Sequence, residues 1–368
     1  MPTEVLFGRG TIDLLPSLLP IQKAQSIALF VGGSSLKKNG ELDRILNMLK
    51  GKNVRVIDHV PPEPPPSFLL EQVELMKKDP VDCVLAVGGG SVMDLAKSVA
   101  LLAMQKEDPI TLLTSPPATF AKAIPTVCVP TTSGTGSEVT PFAVFWDHTK
   151  KKKYSIGHAA LYATHALVDP DFTLTMPPYV TATTGMDAFT QACEAYWNKN
   201  ANPQSDIYAL KAISIILSAL PTAVKDGLNI KARNDMALGS VTGGLAFSNT
   251  RTTACHSISY PMSLHFGVTH GQAVGITLPE VIALNASVQS ERSAAFCEAL
   301  DVQSIEEASD VIRILMQKSG LKTRLSELGI KKEAIEIIVK EGFAPGRMEN
   351  TPYTFTEDAL RSLLLRIL

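Results

Sequence analysis

Short, almost wholly apolar runs that end in glycine-rich polar turns recur through the first half of this 368-residue chain. Such runs are typical of strands in a parallel sheet that is covered on both faces, and residues with helical spacing follow the turns. This alternation predicts an α/β domain with a doubly wound, mainly parallel, Rossmann-like sheet. The predicted strands are 26–31, 54–58, 82–87 and 126–129, and the predicted helices between them are 69–78 and 92–104.

From Val180 onward the chain has helical periodicity and no good strand run. Pro177 and Pro178 stand between the two patterns, so we predict an α/β domain over 1–178 and an all-helical domain over 179–368. The predicted helices of the second domain are 181–198, 203–219, 231–247, 253–265, 270–285, 289–299, 305–318, 321–328, 332–341 and 356–367.

Three polar, glycine-rich loops follow the predicted strands, at 32–35, 88–91 and 131–137. Ligands of doubly wound sheets bind beyond the carboxyl ends of the strands, where amides at a glycine turn hold phosphate. A glycine turn also simply connects elements, but three together favour a dinucleotide site, although none has the spacing of the usual fingerprint or of the P-loop. The expected cofactor-binding residues are Gly33, Ser34, Ser35, Gly89, Gly90, Ser91, Thr131, Thr132 and Ser133.

Three of the seven histidines lie in the segment 251–271. A divalent metal prefers neutral imidazoles and a carboxylate, which His256, His270 and Asp187 would provide. Asp187 shares one face of a predicted helix with Gln191 and Glu194, and buried polar groups need partners. The alternative is that each histidine is a core residue and that Asp187 is a charge near a helix start.

Composition excludes several classes of protein. The chain is 45% hydrophobic and 19% charged with a net charge of −2, which indicates a soluble globular protein and argues against a nucleic-acid partner. Five scattered cysteines, mostly in apolar runs, predict buried thiols in the cytoplasm. The N-terminus lacks signal-peptide features, and no uninterrupted apolar run reaches about 18 residues, so we expect no membrane span.

Several longer motifs occur in a fixed order along the chain. They are Phe7-Gly-Arg-Gly, Gly88-Gly-Gly-Ser-Val-Met-Asp94-Leu-Ala-Lys97, Pro130-Thr-Thr-Ser-Gly-Thr-Gly-Ser-Glu138, Val168-Asp-Pro170, the Asp187 helix, the segment 256–270 and Asn350-Thr-Pro352. Together they resemble the iron-containing (group III) alcohol dehydrogenase family, which shares its fold with dehydroquinate synthase and glycerol dehydrogenase. The resemblance implies an N-terminal cofactor domain, a helical metal domain, catalysis between them and a homodimer.

The family's metal ligands, carried over by motif, are an Asp at Asp187, a His that here falls on Gln191, and two further His at His256 and His270. A further family histidine falls on Tyr260, which would bind substrate, donate a proton or only pack. An amide oxygen is a weaker ligand than imidazole. The resemblance therefore implies Fe²⁺ or Zn²⁺, with a loosely bound, different or absent metal as the alternative.

A narrower resemblance is to phosphonoacetaldehyde reductases, which form 2-hydroxyethylphosphonate. It is carried by the run from Thr250 to Tyr260, the His270-Gly-x-Ala-Val motif, Glu194-Ala-Tyr-Trp and Ser35-Leu-Lys-Lys-Asn-Gly. A guanidinium and two hydroxyls, from Arg251, Thr252 and Thr253, would hold the phosphonate close to His256. The alternative is that Arg251 pairs with an acidic neighbour and the threonines cap a helix.

The preferred cofactor follows from the turn after the first predicted strand. Where the family has an Asp that repels a 2′-phosphate, this chain has Gly33, followed by hydroxyls and by Lys37 and Lys38. We therefore expect NADPH to be used at least as well as NADH, with Lys38, Asp94 and Lys153 among the cofactor-binding residues. A family Asn of the cofactor site falls on Pro65.

The predicted function is a metal-assisted, NAD(P)H-dependent reduction of a small anionic aldehyde, in which Asp187, His256, His270 and Tyr260 are catalytic. Two alternatives remain: a generic alcohol dehydrogenase in which Arg251 is structural, and a metal-free dinucleotide-binding protein that has lost catalysis. A lyase like dehydroquinate synthase is disfavoured because it needs more basic residues around its phosphate.

Overall fold

The structure is a computed structural model that describes residues 2–115, 119–120 and 122–368. Its contacts divide the chain into two compact units. The first comprises Met1–Thr132 and Ser137–Thr175, and the second comprises Ser133–Gly136 and Met176–Leu368. The change of unit after Thr175 lies three residues before the boundary predicted from the sequence. No pattern in the sequence predicted that residues 133–136 group with the second unit.

The first unit contains a parallel sheet whose described strands run in the order β1-β8-β5-β4-β2-β3. The predicted α/β class is thus confirmed. The strands are β1 (Glu4–Phe7), β2 (Ser26–Gly32), β3 (Asn53–Val60), β4 (Cys83–Gly88), β5 (Thr126–Pro130) and β8 (His165–Val168). A separate antiparallel hairpin pairs β6 (Phe142–Asp147) with β7 (Lys152–Gly157), and the lysine run at 150–153 spans the end of the turn and the start of β7.

The sheet is buried on both faces because its central strands alternate apolar side chains between two cores. In β2, Ala28 and Phe30 join one core, and Ile27 and Leu29 join the other. The helices of this unit are α1 (Leu19–Lys23), α2 (Ser35–Lys38), α3 (Glu41–Met48), α4 (Pro66–Lys78), α5 (Gly90–Leu102) and α6 (Pro109–Thr114). Pro66 is the first residue of α4, a position that proline favours, so this helix begins three residues before the predicted start at residue 69.

The second unit is helical among its described residues. Its helices are α7 (Pro178–Tyr196), α8 (Pro203–Lys225), α9 (Ile230–Thr250), α10 (Ala254–Phe266), α11 (His270–Val288), α12 (Ser293–Leu300), α13 (Ile305–Lys318), α14 (Ile335–Glu341) and α15 (Glu357–Arg366). The predicted helix 321–328 is wrong, since only a 3-10 turn at Ser326–Leu328 forms. The Glu327 carboxylate accepts from the amides of Thr323 and Arg324, which turns the chain there instead.

Within the part of the chain that the structure describes, one helix, α8, is long and apolar enough to cross a membrane by length and composition. It packs against α7 and α9 within the helical unit, and a buried helix of a globular domain meets the same criteria. Asn202 caps it with a capping box, and Pro203 occupies its first turn. These features describe a packed helix of the second unit.

Candidate metal centre

Helix α7 carries a buried polar face in an otherwise apolar helix. Asp187, Gln191 and Glu194 are 4%, 5% and 2% exposed, so each needs a partner inside the protein. The helix is held close to its neighbours at Gly185, where an added Cβ would lie 2.4 Å from a methyl carbon of Leu220. The polar face of α7 is therefore fixed by tight helix packing.

Helix α10 brings His256 to this face. The Glu194 carboxylate accepts from the His256 Nδ1, from the His256 backbone amide at 3.2 Å and from the Thr253 hydroxyl at 2.8 Å. The Nδ1 proton is thereby assigned, which leaves His256 Nε2 directed at the Asp187 Oδ1, 3.3 Å away. A carboxylate behind a histidine in this way fixes the ring and its tautomer for metal binding.

Helix α11 begins at His270, whose Nε2 lies 3.8 Å from the same Asp187 Oδ1. Gly271, the next residue, meets α7 so closely that an added Cβ would lie 1.8 Å from the Thr183 carbonyl oxygen. Only glycine permits this approach. This close packing of α11 against α7 brings the second imidazole to Asp187.

The ligand atoms of Asp187, His256 and His270 all lie within 4.8 Å of one another. Gln191 donates its Nε2 to the Asp187 Oδ2 at 3.1 Å, while its buried Oε1 has no hydrogen-bond partner among the described residues. One carboxylate, two imidazoles and an amide oxygen that lacks a donor fit a divalent cation. The residues present therefore suit the metal that the sequence predicts, with Gln191 as a candidate oxygen ligand.

Charge at the centre follows from the paired carboxylates. Burial alone would lower the pKa of His256, but Glu194 and Asp187 outweigh it and raise that pKa to about 9. Burial likewise opposes ionisation of Glu194, yet the charge and hydrogen bonds of His256, together with the Thr253 hydroxyl, lower its pKa. Without a metal ion, the His256 imidazole is therefore protonated on both ring nitrogens at neutral pH and carries a positive charge. A bound metal ion would replace that charge.

Tyr260 lies one turn beyond His256 on α10, with its ring 6.5 Å from the His270 ring. Its hydroxyl accepts from the Arg347 Nε at 3.1 Å. The Ser259 hydroxyl is 3.5 Å from the His270 Nδ1. The residue that replaces a family histidine is thus beside the candidate centre.

The three residues predicted to bind the substrate differ in their surroundings. Arg251 is exposed and follows α9 with a left-handed backbone, at φ 66°. Thr252 is buried, and its carbonyl accepts from the Asn350 side chain at 3.0 Å. Thr253 precedes α10 without capping it through its side chain, since its hydroxyl donates to Glu194. Among the three, Arg251 alone is exposed.

The predicted cofactor loops of the first unit fit a phosphate cradle. Gly89 precedes α5 as its N-cap and has no side-chain cap, so the first amides of the helix remain available to an anion. Added Cβ atoms on Gly32 and Gly88 would lie 2.6 Å and 2.5 Å from the Val92 side chain. Gly33 has φ 63°, a left-handed turn, directly before Ser34 and Ser35.

The remaining residues predicted for the cofactor are placed as follows. Asp94 accepts from the Ser137 hydroxyl at 2.5 Å and from the Val144 amide at 2.9 Å, so its carboxylate holds the hairpin. Burial raises the pKa of Asp94, with Lys97 opposing. The Lys153 ammonium lies 4.5 Å from the centre of the Trp146 ring. Further members are Gly90 and Ser91 at the start of α5, Lys38 at the end of α2, Thr131 and Thr132 after β5, and Ser133 in the second unit.

The roles of two residues in this region were not predicted from the sequence. Glu194 was recognised only as one of three polar residues on a helix face, and nothing in the spacing showed that it would orient His256. Arg347 lies 87 residues after Tyr260 in sequence and shares no motif with it, so only the tertiary structure joins them. The signal for its region was the Asn350-Thr-Pro352 motif, since Asn350 ties that loop to Thr252.

Comparison with known proteins agrees with this geometry. Residues 2–170 match the family described as "Iron-containing alcohol dehydrogenase", and residues 181–368 match "Fe-containing alcohol dehydrogenase family, C-terminal". Long-chain-alcohol dehydrogenase 1 of Geobacillus thermodenitrificans is 34% identical, over 97% of this chain and 93% of that protein. NADPH-dependent butanol dehydrogenase of Clostridium saccharobutylicum is 30% identical, over 99% and 96%.

A solved structure is also similar over the whole chain. Sulfoacetaldehyde reductase from Bifidobacterium kashiwanohense, in complex with NAD⁺, superposes with a TM-score of 0.93 at 30% identity, and the match covers 100% of this chain and 97% of that one. The parallel-sheet and helical units described above thus recur in a protein with a nicotinamide cofactor bound.

Proposed function

The chain belongs to the iron-containing alcohol dehydrogenase family and is an alcohol dehydrogenase or aldehyde reductase of that type, and from this premise we propose that its substrate is a small anionic aldehyde. The best candidate is phosphonoacetaldehyde, which is reduced to 2-hydroxyethylphosphonate. A relative of similar structure is a sulfoacetaldehyde reductase, whose substrate by name is also an aldehyde with an anionic group.

The observation that carries this proposal is the backbone of Arg251. A non-glycine residue at φ 66° and ψ −176° is strained by about 1–3 kcal/mol, and glycine would remove that strain. The carbonyl of Arg251 accepts from Thr250 Oγ1 at 3.0 Å and from Asn198 Nδ2 at 3.1 Å, which holds the strained conformation. An arginine fixed at such a position, five residues before His256, suits a role for its guanidinium in binding an anion.

The side chains of the second unit have separate roles in this proposal. Asp187, His256, His270 and the Gln191 Oε1 would hold a divalent cation. Bound there, the cation supplies Lewis-acid polarisation of the carbonyl group. Glu194 keeps the His256 ring oriented through Nδ1. We assign the protonation of the substrate's developing alkoxide oxygen to the hydroxyl of Tyr260, which accepts from Arg347 and lies beside His270.

The glycine turns of the first unit would bind the cofactor, which supplies the hydride. The amides at the start of α5, after Gly89, suit the pyrophosphate. No carboxylate stands at Gly33, and Ser34, Ser35 and Lys38 follow it, which supports use of NADPH at least as well as NADH. The ratio of kcat/KM with NADPH to kcat/KM with NADH tests this expectation, and a ratio well below one would refute it.

The deciding experiment is NADPH oxidation with phosphonoacetaldehyde, sulfoacetaldehyde and butanal, after chelation and with Fe²⁺, Zn²⁺, Mn²⁺ or Ni²⁺ restored. We expect turnover that depends on the metal and favours the anionic aldehydes. A preference for butanal would support the generic alcohol dehydrogenase instead. No turnover with any metal, while NADPH still binds, would support the metal-free dinucleotide-binding protein.

The metal role has its own test in His256→Ala. We expect loss of turnover with a retained fold, whereas His59→Ala, a change at an exposed histidine of the first unit, retains activity. An active His256→Ala protein would remove the metal from the proposal. A homodimer and a cytoplasmic location also stay predictions, and light scattering of the purified protein tests the first.

A further inference from the structure

The loop 346–350 packs against the segment that carries Arg251. The Asn350 Nδ2 donates to the Thr252 carbonyl at 3.0 Å and to the Gly346 carbonyl at 3.1 Å. A Cβ placed on Gly346 would lie 3.7 Å from Nη1 of Arg251. The backbone amide of Lys199 also donates to the Asn350 carbonyl at 2.9 Å. The loop is therefore held in place beside the Arg251 guanidinium.

Arg347 of this loop reaches toward the candidate metal centre. Its Nε donates to the Tyr260 hydroxyl at 3.1 Å, and the Tyr260 ring faces His270 at 6.5 Å. Its Nη1 donates to the Gly346 carbonyl at 3.3 Å, which ties the guanidinium to its own loop. A single aromatic ring thus separates the Arg347 guanidinium from an imidazole of the metal set.

The two arginines influence each other. Although Arg251 is exposed, neighbouring atoms partly desolvate its guanidinium and lower its pKa, and the positive charge of Arg347 lowers that pKa further. Two guanidinium groups close enough to interact raise each other's energy, and an anion bound beside both removes that repulsion. A guanidinium is also the side chain best suited to bidentate contact with phosphate-like oxygens.

We propose that Arg347 is a second specificity-determining residue, which together with Arg251 binds the anionic group of the aldehyde and favours a dianion over a monoanion. This inference rests on the proposed function. A phosphonate loses its second proton near or slightly above neutral pH and then carries two negative charges, whereas a sulfonate carries one at every such pH. Two cations therefore separate phosphonoacetaldehyde from sulfoacetaldehyde, which have the same carbon chain and aldehyde.

The test compares kcat/KM for phosphonoacetaldehyde, sulfoacetaldehyde and butanal in the parent protein and in Arg347→Met. The loss of one charged hydrogen-bond donor should lower the ratio of phosphonoacetaldehyde to butanal about 10- to 100-fold, chiefly through KM. The ratio of phosphonoacetaldehyde to sulfoacetaldehyde should also fall. Arg361→Met, a change at an arginine that pairs with Glu336 elsewhere in the second unit, is the matched control and should leave both ratios as in the parent.

A second readout needs no turnover. Calorimetric titration with methylphosphonate and with methanesulfonate, at a pH above the second pKa of methylphosphonate, should show that the parent binds the dianion more tightly. Arg347→Met should lose most of this difference. Arg347→Lys keeps the positive charge but loses the planar guanidinium that can bind two oxygens at once, and it should retain part of the preference for the dianion. Tyr260→Phe, which removes the acceptor of the Arg347 Nε, should retain the preference for the dianion if Arg347 itself binds the anion.

The outcomes separate this inference from the proposed function. If Arg347→Met changes kcat/KM for all three aldehydes by the same factor, Arg347 only supports the loop and the inference is overturned. If Arg251→Met removes the preference for anionic aldehydes while Arg347→Met does not, the proposed function stands and only the inference falls. If the parent has no such preference, both fall. Should Arg347→Met fail to fold, Arg347→Lys and the parent titrations still decide.

Discussion

The close contact at Gly271 makes a sharp prediction about the metal centre. In Gly271→Ala the new methyl group would lie 1.8 Å from the Thr183 carbonyl oxygen and 2.5 Å from the Thr183 carbonyl carbon. Both atoms belong to the backbone of α7, so no side-chain rotation relieves the overlap. A contact of about 3.2 Å, near the lower limit for carbon and oxygen, requires the start of α11 to move by about 1.4 Å.

That movement acts directly on His270, the first residue of α11 and the neighbour of the substituted glycine. Metal-ligand distances tolerate only about 0.2 Å, so the third ligand would leave the set formed with Asp187 and His256. A displacement of about 1 Å at a reacting centre lowers turnover about 100-fold. Overpacking of this kind also destabilises a fold by about 1–3 kcal/mol.

The assay is calorimetric titration of the metal-free protein with Zn²⁺, followed by urea unfolding and steady-state turnover. The control is Gly243→Ala, which also faces α7 but whose new methyl group has ordinary contacts, the nearest at 3.5 Å from the Ala188 carbonyl oxygen. Gly243→Ala should be neutral or stabilising by up to about 1 kcal/mol. If Gly271→Ala binds Zn²⁺ and turns over within about threefold of the parent, the helix contact does not position His270 and the reasoning fails.

Three further predictions concern other residues. Glu194→Gln removes the carboxylate behind His256 and should weaken Zn²⁺ binding about 10- to 100-fold in the same titration, and unchanged affinity would contradict its orienting role. Arg251→Gly relieves the left-handed backbone and should raise the free energy of unfolding by about 1 kcal/mol while anion preference is lost; a less stable variant would argue against strain. Burial raises the pKa of Glu138 from 4.5 to about 7, with its own backbone amide and Lys97 opposing. The folded state therefore keeps a proton that the unfolded chain releases, and stability should fall by up to about 3 kcal/mol as pH rises from 4.5 to 7, a loss that urea unfolding should not find in Glu138→Gln.

The sequence predicted the central strands β2, β4 and β5 well because each is an isolated apolar run that ends at a glycine or a proline. The edge strand β1 and its neighbour β8 were missed, since each has only four residues and their pairing joins segments about 160 residues apart. The two strands of the hairpin, β6 and β7, were also absent from the prediction. Short strands that depend on distant partners leave little local pattern.

At the site, motif order led to Asp187, His256 and His270, and the structure brings these three together. Contacts between side chains of different helices and loops could not be predicted from the motifs. Thr253 shares its motif with Arg251, but its hydroxyl is directed to Glu194, and Arg347 comes from a loop near the end of the chain. Residue types and spacing predict which groups are available for chemistry, while their partners depend on packing between helices.

The Glu194 carboxylate has a consequence for how the second unit folds. Helix α10 has no side-chain cap from its own segment, and the amide of its third residue, His256, donates to Glu194 on α7. Its first turn therefore gains its cap only after α7 has docked, and the imidazole is oriented by the same carboxylate in the same event. In folding kinetics, substitutions at Glu194 and at Thr253 should therefore have similar φ-values, because both remove contacts that form in the same step, the docking of α10 on α7.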